Sequence, residues 1–318
     1  MKNSYSNIFA FNKKILKKSI KNLNNGNIIG LPTETVYGLG GNAYSKISIQ
    51  KIFKLKKRPK YNPLIVHYFS YQKLRKDCYF NDNFLKLYRK FCPGPITFIL
   101  DLKKDSKISK IATNNKNTLA VRFPNHPITR NLLKKLKFPL AAPSANLSSK
   151  ISAVRSSDVK EDFGKKIKFV LEGGKSSIGI ESTIIDLRNK PKILRLGGLD
   201  ILAIQRELNK KIVINNNPSK ISTPGQLKLH YSPGIPIRLN VKKIKDKEAF
   251  LLIKKKKETK SNYYFLSEKG DLKEAAKNLY STLRKIKKSK YKSIAVSKIP
   301  NVGLGKTIND RLIRASKY

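Results

Sequence analysis

The sequence predicts an α/β protein with a twisted, mixed, open sheet and a second, smaller α/β domain. Short apolar segments bounded by glycine, proline and asparagine alternate with segments that repeat apolar residues every three or four positions, as strands alternate with helices in layered α/β folds. The predicted strands outnumber the predicted helices, which favours a mixed sheet over a purely parallel one. The length of 318 residues suits one large domain and one small one.

The elements of the first domain follow from these patterns in chain order. Apolar residues at helical spacing predict a helix over 15–23, and the apolar run 27–31 predicts a buried strand that ends at Pro32. Residues 38–41 are glycine-rich, which predicts a turn. Further strands are predicted at 63–68, 96–102, 119–123, 140–142, 169–172, 182–187 and 193–196, and further helices at 45–55, 83–89, 127–135 and 200–208.

The composition changes after Lys210, where residues 215–237 are rich in Asn, Ser, Pro and Gly and have no helical period. A stretch of this kind is typical of a connection between domains. Strands are predicted beyond it at 237–241, 263–266 and 293–296, and helices at 272–285 and 308–315. We therefore expect a catalytic domain over 1–210, an interdomain linker or lid over 211–237, and a small Rossmann-like α/β domain over 238–318.

The formal charge of +49 is the most unusual property of the chain. A strongly basic protein attracts polyanions, so a weak contact with tRNA or other RNA is one interpretation. Lysine, asparagine and isoleucine are abundant along the whole chain and share A/T-rich codons, so a biased genome is the other interpretation. Composition alone leaves both open.

Several classes of protein are disfavoured by what the sequence lacks. The two cysteines form no CxxC pattern and the three histidines have no metal-ligand spacing, so we expect neither a disulfide framework nor a metal bound by protein side chains. No apolar run approaches ~20 residues and the N-terminus has no signal-peptide pattern, which predicts a cytoplasmic protein without membrane contact.

Three segments resemble nucleotide-binding motifs but lack an essential residue. Residues 38–43 match GxGxxA, yet no acidic residue occurs over 35–76 to hold a ribose hydroxyl. The GKS of 174–176 and the GKT of 305–307 lack the first glycine of a P-loop, since Phe169 and Pro300 occupy that position. A nucleotide would therefore be bound by another scheme.

Basic and polar side chains on a loop before a predicted strand suggest a phosphate site. Lys56 and Arg58 lie on a short loop stiffened by proline, where both could hold phosphates, although a solvated basic loop is the alternative. Asn62 follows beside the strand that carries His67.

Two further segments place polar side chains where predicted strands end. Ser144 and Asn146 follow the strand 140–142, and ligands of open α/β sheets collect at the carboxyl ends of strands. A helix N-cap is the alternative function of these residues. Arg122 ends the strand 119–123 and could bind a carboxylate through two hydrogen bonds, or form a surface ion pair.

Taken together, these segments resemble the YrdC-domain family, the threonylcarbamoyl-AMP synthases. The motifs PTETVYGLG, KxR at Lys56 and Arg58, NPL, FCPGPIT, VRFP, SxN at Ser144 and Asn146, ESTI and LRLGG occur in the family's order over residues 28–198. HYSP at 230–233 is similar to the interdomain linker of the long two-domain form, and NDRLIRAS is similar to its last helix. The resemblance is weakest over 242–292.

The resemblance implies a nucleotidyltransferase that forms threonylcarbamoyl-adenylate and pyrophosphate from L-threonine, bicarbonate or CO2, and ATP, with Mg²⁺ carried by ATP. A tRNA-threonylcarbamoyl transferase complex would then modify adenosine 37 of tRNAs that read ANN codons. The residues implied for threonine are Thr35, His67, Arg122, Ala142 and Ser182. Those implied for ATP are Arg58, Asn62, Thr118, Ser144, Ser152, Arg195 and Tyr231, with Ser148 and Ser149 as alternatives to Ser152. Lys56, Arg58, Ser144 and Asn146 are the implied catalytic set.

The chemistry needs no protein nucleophile, because the threonine amine would capture CO2 and the carbamate oxygen would attack the α-phosphate. The protein would align the reactants and neutralise charge. The linker with Tyr231 is predicted to close over the site as a lid, so that deleting 215–318 should lower the product yield. The main alternative is a non-catalytic module that binds double-stranded RNA or tRNA. A carbamoyltransferase of the hydrogenase-maturation type is disfavoured, because two cysteines cannot supply its zinc-binding segments.

Overall fold

The computed structural model describes residues 7–215 and 229–317. The larger unit contains, in chain order, β1 (Ile8–Ala10), α1 (Lys13–Asn24), β2 (Ile29–Leu31), β3 (Gly38–Asn42), α2 (Lys46–Lys56), β4 (Ile65–His67), α3 (Tyr71–Leu74), α4 (Asp82–Phe91), β5 (Ile96–Asp101), α5 (Lys110–Thr113), β6 (Thr118–Arg122), α6 (Pro127–Lys135), β7 (Leu140–Ala141), α7 (Ser156–Phe163), β8 (Val170–Glu172), β9 (Thr183–Asp186), β10 (Lys192–Arg195), α8 (Ile201–Leu208) and β11 (Val213–Ile214).

These strands form one mixed sheet in the order β1-β8-β2-β3-β7-β4-β6-β5-β9-β10-β11. Strands β4 and β6 are parallel, whereas β7 runs antiparallel to both of its neighbours, β3 and β4. The prediction of a mixed α/β sheet is therefore confirmed. Strand β11 pairs with β10, so the large sheet extends past residue 210, where the sequence predicts the end of the domain.

The glycine-rich segment predicted as a turn is strand β3. A Cβ atom on Gly40 would lie 2.2 Å from Leu31 Cδ2 in β2, and one on Gly41 would lie 3.2 Å from Ile52 Cδ1 in α2. Neighbouring side chains fill the space on both faces of the strand, and glycine is the residue that lets them approach. The turn prediction was wrong because it considered only backbone freedom.

The two faces of the sheet differ in the size of their apolar clusters. Alternate residues of the central strands, such as Leu64 and Val66, contribute to the main core. The intervening residues Ile65 and Ala120 belong to a small separate cluster. Because Ile65 pairs with Ala120 and His67 with Arg122, this second face presents His67 and Arg122 side by side.

Helix α2 is bounded by local signals that fix the loop after it. It begins where Ser45 Oγ accepts a hydrogen bond from Ser48 N at 3.2 Å. It ends at Lys57, whose φ of 50° is left-handed and directs the chain away from the helix axis. The last helical residue, Lys56, and the residue after the turn, Arg58, are thereby held beside β4.

The C-terminal unit contains β12 (Ile237–Arg238), β13 (Glu248–Lys254), β14 (Tyr263–Ser267), α9 (Leu272–Lys288), β15 (Ser293–Val296) and α10 (Leu304–Ala315). Its strands are parallel in the order β12-β15-β13-β14, and β13 was absent from the sequence prediction. One apolar cluster joins the two units, since it contains Val154 and Ile180 together with Leu279 and Leu283 of α9. Over 7–215 and 229–317, no helix is long and apolar enough to cross a membrane.

Candidate active site

A cavity lies over the sheet face that carries His67 and Arg122. The sheet is mixed, so the residues around it come from strand beginnings, strand ends and strand faces. The cavity therefore extends across several strands of the sheet. The sequence analysis had predicted a site at the carboxyl ends of strands. The lining residues are Thr33, Val36, Tyr37, Gly38, Arg58, Ile65, His67, Arg122, Ala142, Pro143, Ser144, Glu181, Arg195, His230 and Tyr231.

Arg122 and His67, both buried, lie next to each other in the lining of the cavity. Arg122 Nη2 donates to Glu34 Oε1 at 2.7 Å, and Glu34 Oε2 accepts from Asn125 N at 2.9 Å. Arg122 Nε and His67 Nδ1 are buried and have no partner among the described residues. Burial, reinforced by the charge of Arg122, holds the pKa of His67 well below its usual range, so the imidazole is neutral. Two polar atoms of these residues are thus available to a ligand.

The other residues predicted for threonine differ in how closely they approach the cavity. Ala142 lines it, but Thr35 does not, and the hydroxyl of Thr35 lies 3.0 Å from Thr33 Oγ1. Ser182 is buried behind the wall, where its Oγ lies 2.7 Å from Thr97 Oγ1 and accepts from Arg195 Nη2 at 3.0 Å. Thr33 was missed by the sequence analysis, although it is the residue of the PTET segment that lines the cavity.

Arg58 and Arg195 also line the cavity. Arg58 Nε donates to Asn62 O at 2.9 Å, and its Nη2 donates to Asn62 Oδ1 at 2.6 Å and to Pro63 O at 2.8 Å. Nη1 makes no hydrogen bond to the described protein. Burial, and the nearby charge of Arg195, lower the pKa of Arg58 to about 9, which leaves it cationic at neutral pH. Two adjacent guanidinium groups are suited to a polyanion.

Lys56 is 1% exposed and does not line the cavity. Its Nζ donates to the carbonyl oxygens of Ser144 and Asn146, which joins the loop after α2 to the loop after β7. Asn146 Nδ2 donates to Leu147 O and Lys150 O, while its Oδ1 is buried without a partner in the described structure. Of the four predicted catalytic residues, Arg58 and Ser144 line the cavity, and Lys56 and Asn146 support its wall.

Three residues predicted for ATP lie outside the lining, namely Asn62, Thr118 and Ser152. Asn62 holds Arg58 by accepting hydrogen bonds from its guanidinium. Thr118 begins β6, four residues before Arg122, so it lies toward the opposite end of that strand. Ser152 Oγ donates to Glu181 Oε1 at 2.6 Å and so orients a residue of the wall.

The remaining wall comes from the segment between the two domains. Tyr231 is buried with a φ of 65°, and its ring lies 3.9 Å from that of His230, centroid to centroid. Tyr231 N donates to His230 Nδ1 at 2.9 Å, whereas the hydroxyl of Tyr231 has no partner among the described residues. Burial lowers the pKa of His230 to about 3 and raises that of Tyr231 to about 12. Both side chains are therefore neutral. Residues 216–228 of the predicted lid lie outside the described residues.

Glu181, which the sequence analysis did not select, places a carboxylate in the cavity wall. Its Oε2 accepts from Tyr280 Oη at 2.8 Å and from Arg311 Nε at 2.9 Å. Burial opposes ionisation, but the charges of Arg311 and Arg195 outweigh it and lower the pKa of Glu181 to about 2. Glu34 and Glu181 are both engaged by arginine, and the described residues contain no group of three or more His, Cys, Asp or Glu suited to a metal ion.

Comparison with known proteins decides the family. A family model described as telomere recombination matches residues 21–197, and one described as the C-terminal domain of threonylcarbamoyl-AMP synthase matches residues 195–317. The threonylcarbamoyl-AMP synthase of Pyrococcus abyssi is 35% identical over 92% of this chain and 91% of its own length. The chain belongs to the threonylcarbamoyl-AMP synthase family.

Further matches extend along the whole chain. The threonylcarbamoyl-AMP synthase of Bacillus subtilis is 32% identical over 92% of this chain and 90% of its own. A crystal structure of P. abyssi Sua5 complexed with L-threonine superimposes with a TM-score of 0.88 at 30% identity, covering 98% of this chain and 97% of that one. The resemblance to the long two-domain form of threonylcarbamoyl-AMP synthases is confirmed.

Proposed function

We propose that this protein forms L-threonylcarbamoyl-adenylate and pyrophosphate from L-threonine, bicarbonate or CO2, and ATP. The observation that carries the proposal is the combination of side chains that line one cavity. Arg122 and a neutral His67 suit the carboxylate and polar groups of an amino acid, while Arg58 and Arg195, which line the same cavity, suit a polyphosphate.

The reaction follows from the positions of these groups. Arg122 holds the threonine carboxylate, and the uncharged His67 Nδ1 accepts from or donates to the threonine amine or hydroxyl. The amine adds CO2 to give a carbamate and a proton. The carbamate oxygen then attacks the α-phosphorus, and the bond to the β,γ-pyrophosphate breaks. Arg58 and Arg195 neutralise the charge on the departing pyrophosphate. Alignment of three reactants in one buried cavity accounts for a large part of such a rate enhancement, roughly 7–11 kcal/mol.

Mg²⁺ would accompany ATP and help to neutralise its phosphates. The carboxylates at the cavity do not form a protein site for this ion, because Glu181 is bonded to Arg311 and Glu34 to Arg122. We therefore expect phosphate oxygens and water to be its ligands, as for many nucleotide-bound magnesium ions. No step of the chemistry above depends on a metal held by the protein.

We further propose that the product passes to a tRNA-threonylcarbamoyl transferase complex in the cytoplasm, which modifies adenosine 37 of tRNAs reading ANN codons. The two cysteines are unpaired, in keeping with a reducing compartment. The wall formed by His230 and Tyr231 supports a covering role for this segment, since carbamate and acyl-adenylate must be protected from water. Because the chain carries a high positive charge, we also propose a weak contact with RNA.

The decisive experiment is release of pyrophosphate from ATP with and without threonine and bicarbonate. The enzyme requires both co-substrates, whereas a non-catalytic RNA-binding module releases no pyrophosphate under any condition. Arg58→Ala should lower kcat/KM about 10- to 150-fold, because a hydrogen bond to a charged group contributes about 1.5–3 kcal/mol. Arg89→Ala, at an exposed position of α4, is the matched control and should be unchanged. Equal rates in the wild type and the Arg58 variant would exclude the phosphate-binding role.

A further inference from the structure

The C-terminal domain contributes a charged side chain to the wall of the cavity. Arg311 of α10 is 1% exposed, and its three guanidinium nitrogens each have a defined partner. Nε donates to Glu181 Oε2 at 2.9 Å, Nη2 donates to Leu196 O at 2.6 Å, and Nη1 donates to Asp310 Oδ2 at 2.5 Å. The first two contacts cross from the C-terminal domain to the catalytic domain.

The same guanidinium also packs on the cavity residue Tyr231. The guanidinium carbon lies 4.7 Å from the centre of the Tyr231 ring, a distance typical of a cation–π contact. Tyr280 of α9 stacks on Tyr231 at 5.8 Å and bonds Glu181 Oε2 at 2.8 Å. Glu181 and Tyr231, which both line the cavity, are therefore held by two residues of the C-terminal domain that do not line it.

The contact between Arg311 and Glu181 matters for ligand binding because Glu181 is charged. Glu181 lines the same cavity as Arg58 and Arg195, and the charge of Arg195 acts on it. A carboxylate without a counter-charge there would repel an incoming phosphate and would attract the guanidinium of Arg195 away from it. Arg311 supplies a counter-charge from outside the cavity, so that the charges of Arg58 and Arg195 remain directed at the ligand.

We propose that Arg311 is a positioning residue of the ATP subsite, which it serves by neutralising Glu181 and by fixing the Tyr231 ring. The C-terminal domain thereby becomes a component of the nucleotide site, behind the wall that the interdomain segment forms. This inference rests on the proposed function, since it takes ATP as the polyanion.

A purely structural role for Arg311 is the alternative, and the chain offers a matched control for it. Arg284 of α9 is also a largely buried arginine that crosses between the domains. Its guanidinium bonds both carboxylate oxygens of Asp162, at 3.1 and 2.8 Å, and the carbonyl of Ile151 at 2.8 Å. It does not line the cavity. Loss of Arg284 weakens the domain contact without leaving Glu181 uncompensated.

The test compares Arg311→Met, Glu181→Gln, the double variant and Arg284→Met in the full-length protein. Methionine keeps the apolar packing on Tyr231 while it removes the charge. Binding of a non-hydrolysable ATP analogue is measured by calorimetry, and KM for ATP and for threonine is measured by pyrophosphate release. We expect Arg311→Met to weaken ATP binding about 10- to 100-fold, within the usual range for coupling between sites, and to change KM for threonine much less.

The double variant distinguishes a positioning role of Arg311 from a purely structural one, because it also removes the charge that Arg311 would neutralise. Glu181→Gln should restore ATP binding in the Arg311→Met background to within about 3-fold of Glu181→Gln alone. If Arg311→Met does not fold, the double variant, which leaves no unpaired carboxylate, still gives this comparison. The proposal is overturned if the double variant binds ATP as poorly as Arg311→Met or remains more than 3-fold weaker than Glu181→Gln. It is also overturned if Arg284→Met raises KM for ATP to the same extent.

The two proposals can fail separately. Wild-type protein that binds the ATP analogue but releases no threonine-dependent pyrophosphate would refute the proposed reaction and leave the calorimetric test of Arg311 intact. Active wild-type protein with an unaltered ATP affinity in Arg311→Met would refute the positioning role alone.

Discussion

Arg122 provides the sharpest test of the proposed threonine-binding residues. Its removal alone would leave Glu34 buried and unpaired, at a cost of about 3–5 kcal/mol, a large part of the usual stability of a domain. We therefore replace Glu34 by Gln first and then compare Glu34→Gln with Glu34→Gln/Arg122→Met. In that background, loss of a charge-assisted contact worth about 1.5–3 kcal/mol predicts an increase of about 10- to 150-fold in KM for threonine.

The assay pairs the natural substrate with an analogue that lacks the group in question. Threonine dependence is measured by pyrophosphate release, and binding of L-threonine and of L-threoninol, which has no carboxylate, is measured by calorimetry. Arg122→Met should weaken threonine binding and leave threoninol binding and KM for ATP nearly unchanged. An equal loss for threonine and threoninol, or a parallel rise in KM for ATP, would refute the carboxylate role of Arg122.

Three further predictions address the covering segment, the pH dependence and the domain contact. Tyr231→Phe removes a hydroxyl without a partner among the described residues, so KM for ATP should rise several-fold while the unfolding midpoint stays constant; a constant KM would exclude a ligand contact. The pKa values of His67 and His230 lie below 6.5 in the folded protein. The unfolded chain therefore binds more protons below pH 6.5, and stability should fall there by about 1.4 kcal/mol per pH unit per histidine, down to pH about 3 for His230. Denaturant unfolding at pH 7.5 and 5.5 measures this dependence, and His230→Asn should reduce it; an unchanged slope would contradict the assignment. Gly179→Ala would put a Cβ atom 2.5 Å from a backbone oxygen of α9 at a φ of +76°, so it should lower the unfolding midpoint more than Gly164→Ala, which has a positive φ but open space.

The sequence predicted most elements of the first domain because each has a local signal. Helix α6 was predicted at its observed bounds, since a proline begins it and basic residues end it. Strand β13 was missed because its apolar residues form a short continuous run between lysines, without the alternation or turn residues that mark a strand. Strand β3 was missed because its glycines are explained only by the side chains of β2 and α2, which are distant in sequence.

The sequence allowed the prediction of site residues that lie in short motifs. It did not allow the prediction of site residues that depend on a partner far away in the chain. His67, Arg122 and Arg58 belong to short motifs beside predicted strands, and all three line the cavity. Glu181 belongs to the ESTI motif, but the motif directed attention to the hydroxyl of Ser182 rather than to the carboxylate. Its partner Arg311 lies 130 positions away, a separation that no local pattern encodes.

The pairing of β4 with β6 also limits how this site can change. Ile65 and His67 share a face because they are two residues apart, and Ala120 and Arg122 match them on the neighbouring strand. A shift of one residue would turn all of these side chains to the opposite face, so the register can change only in steps of two residues, about 6.6 Å. A change that keeps basic side chains of both strands on the cavity face must therefore exchange residues at these positions or move one strand by two residues.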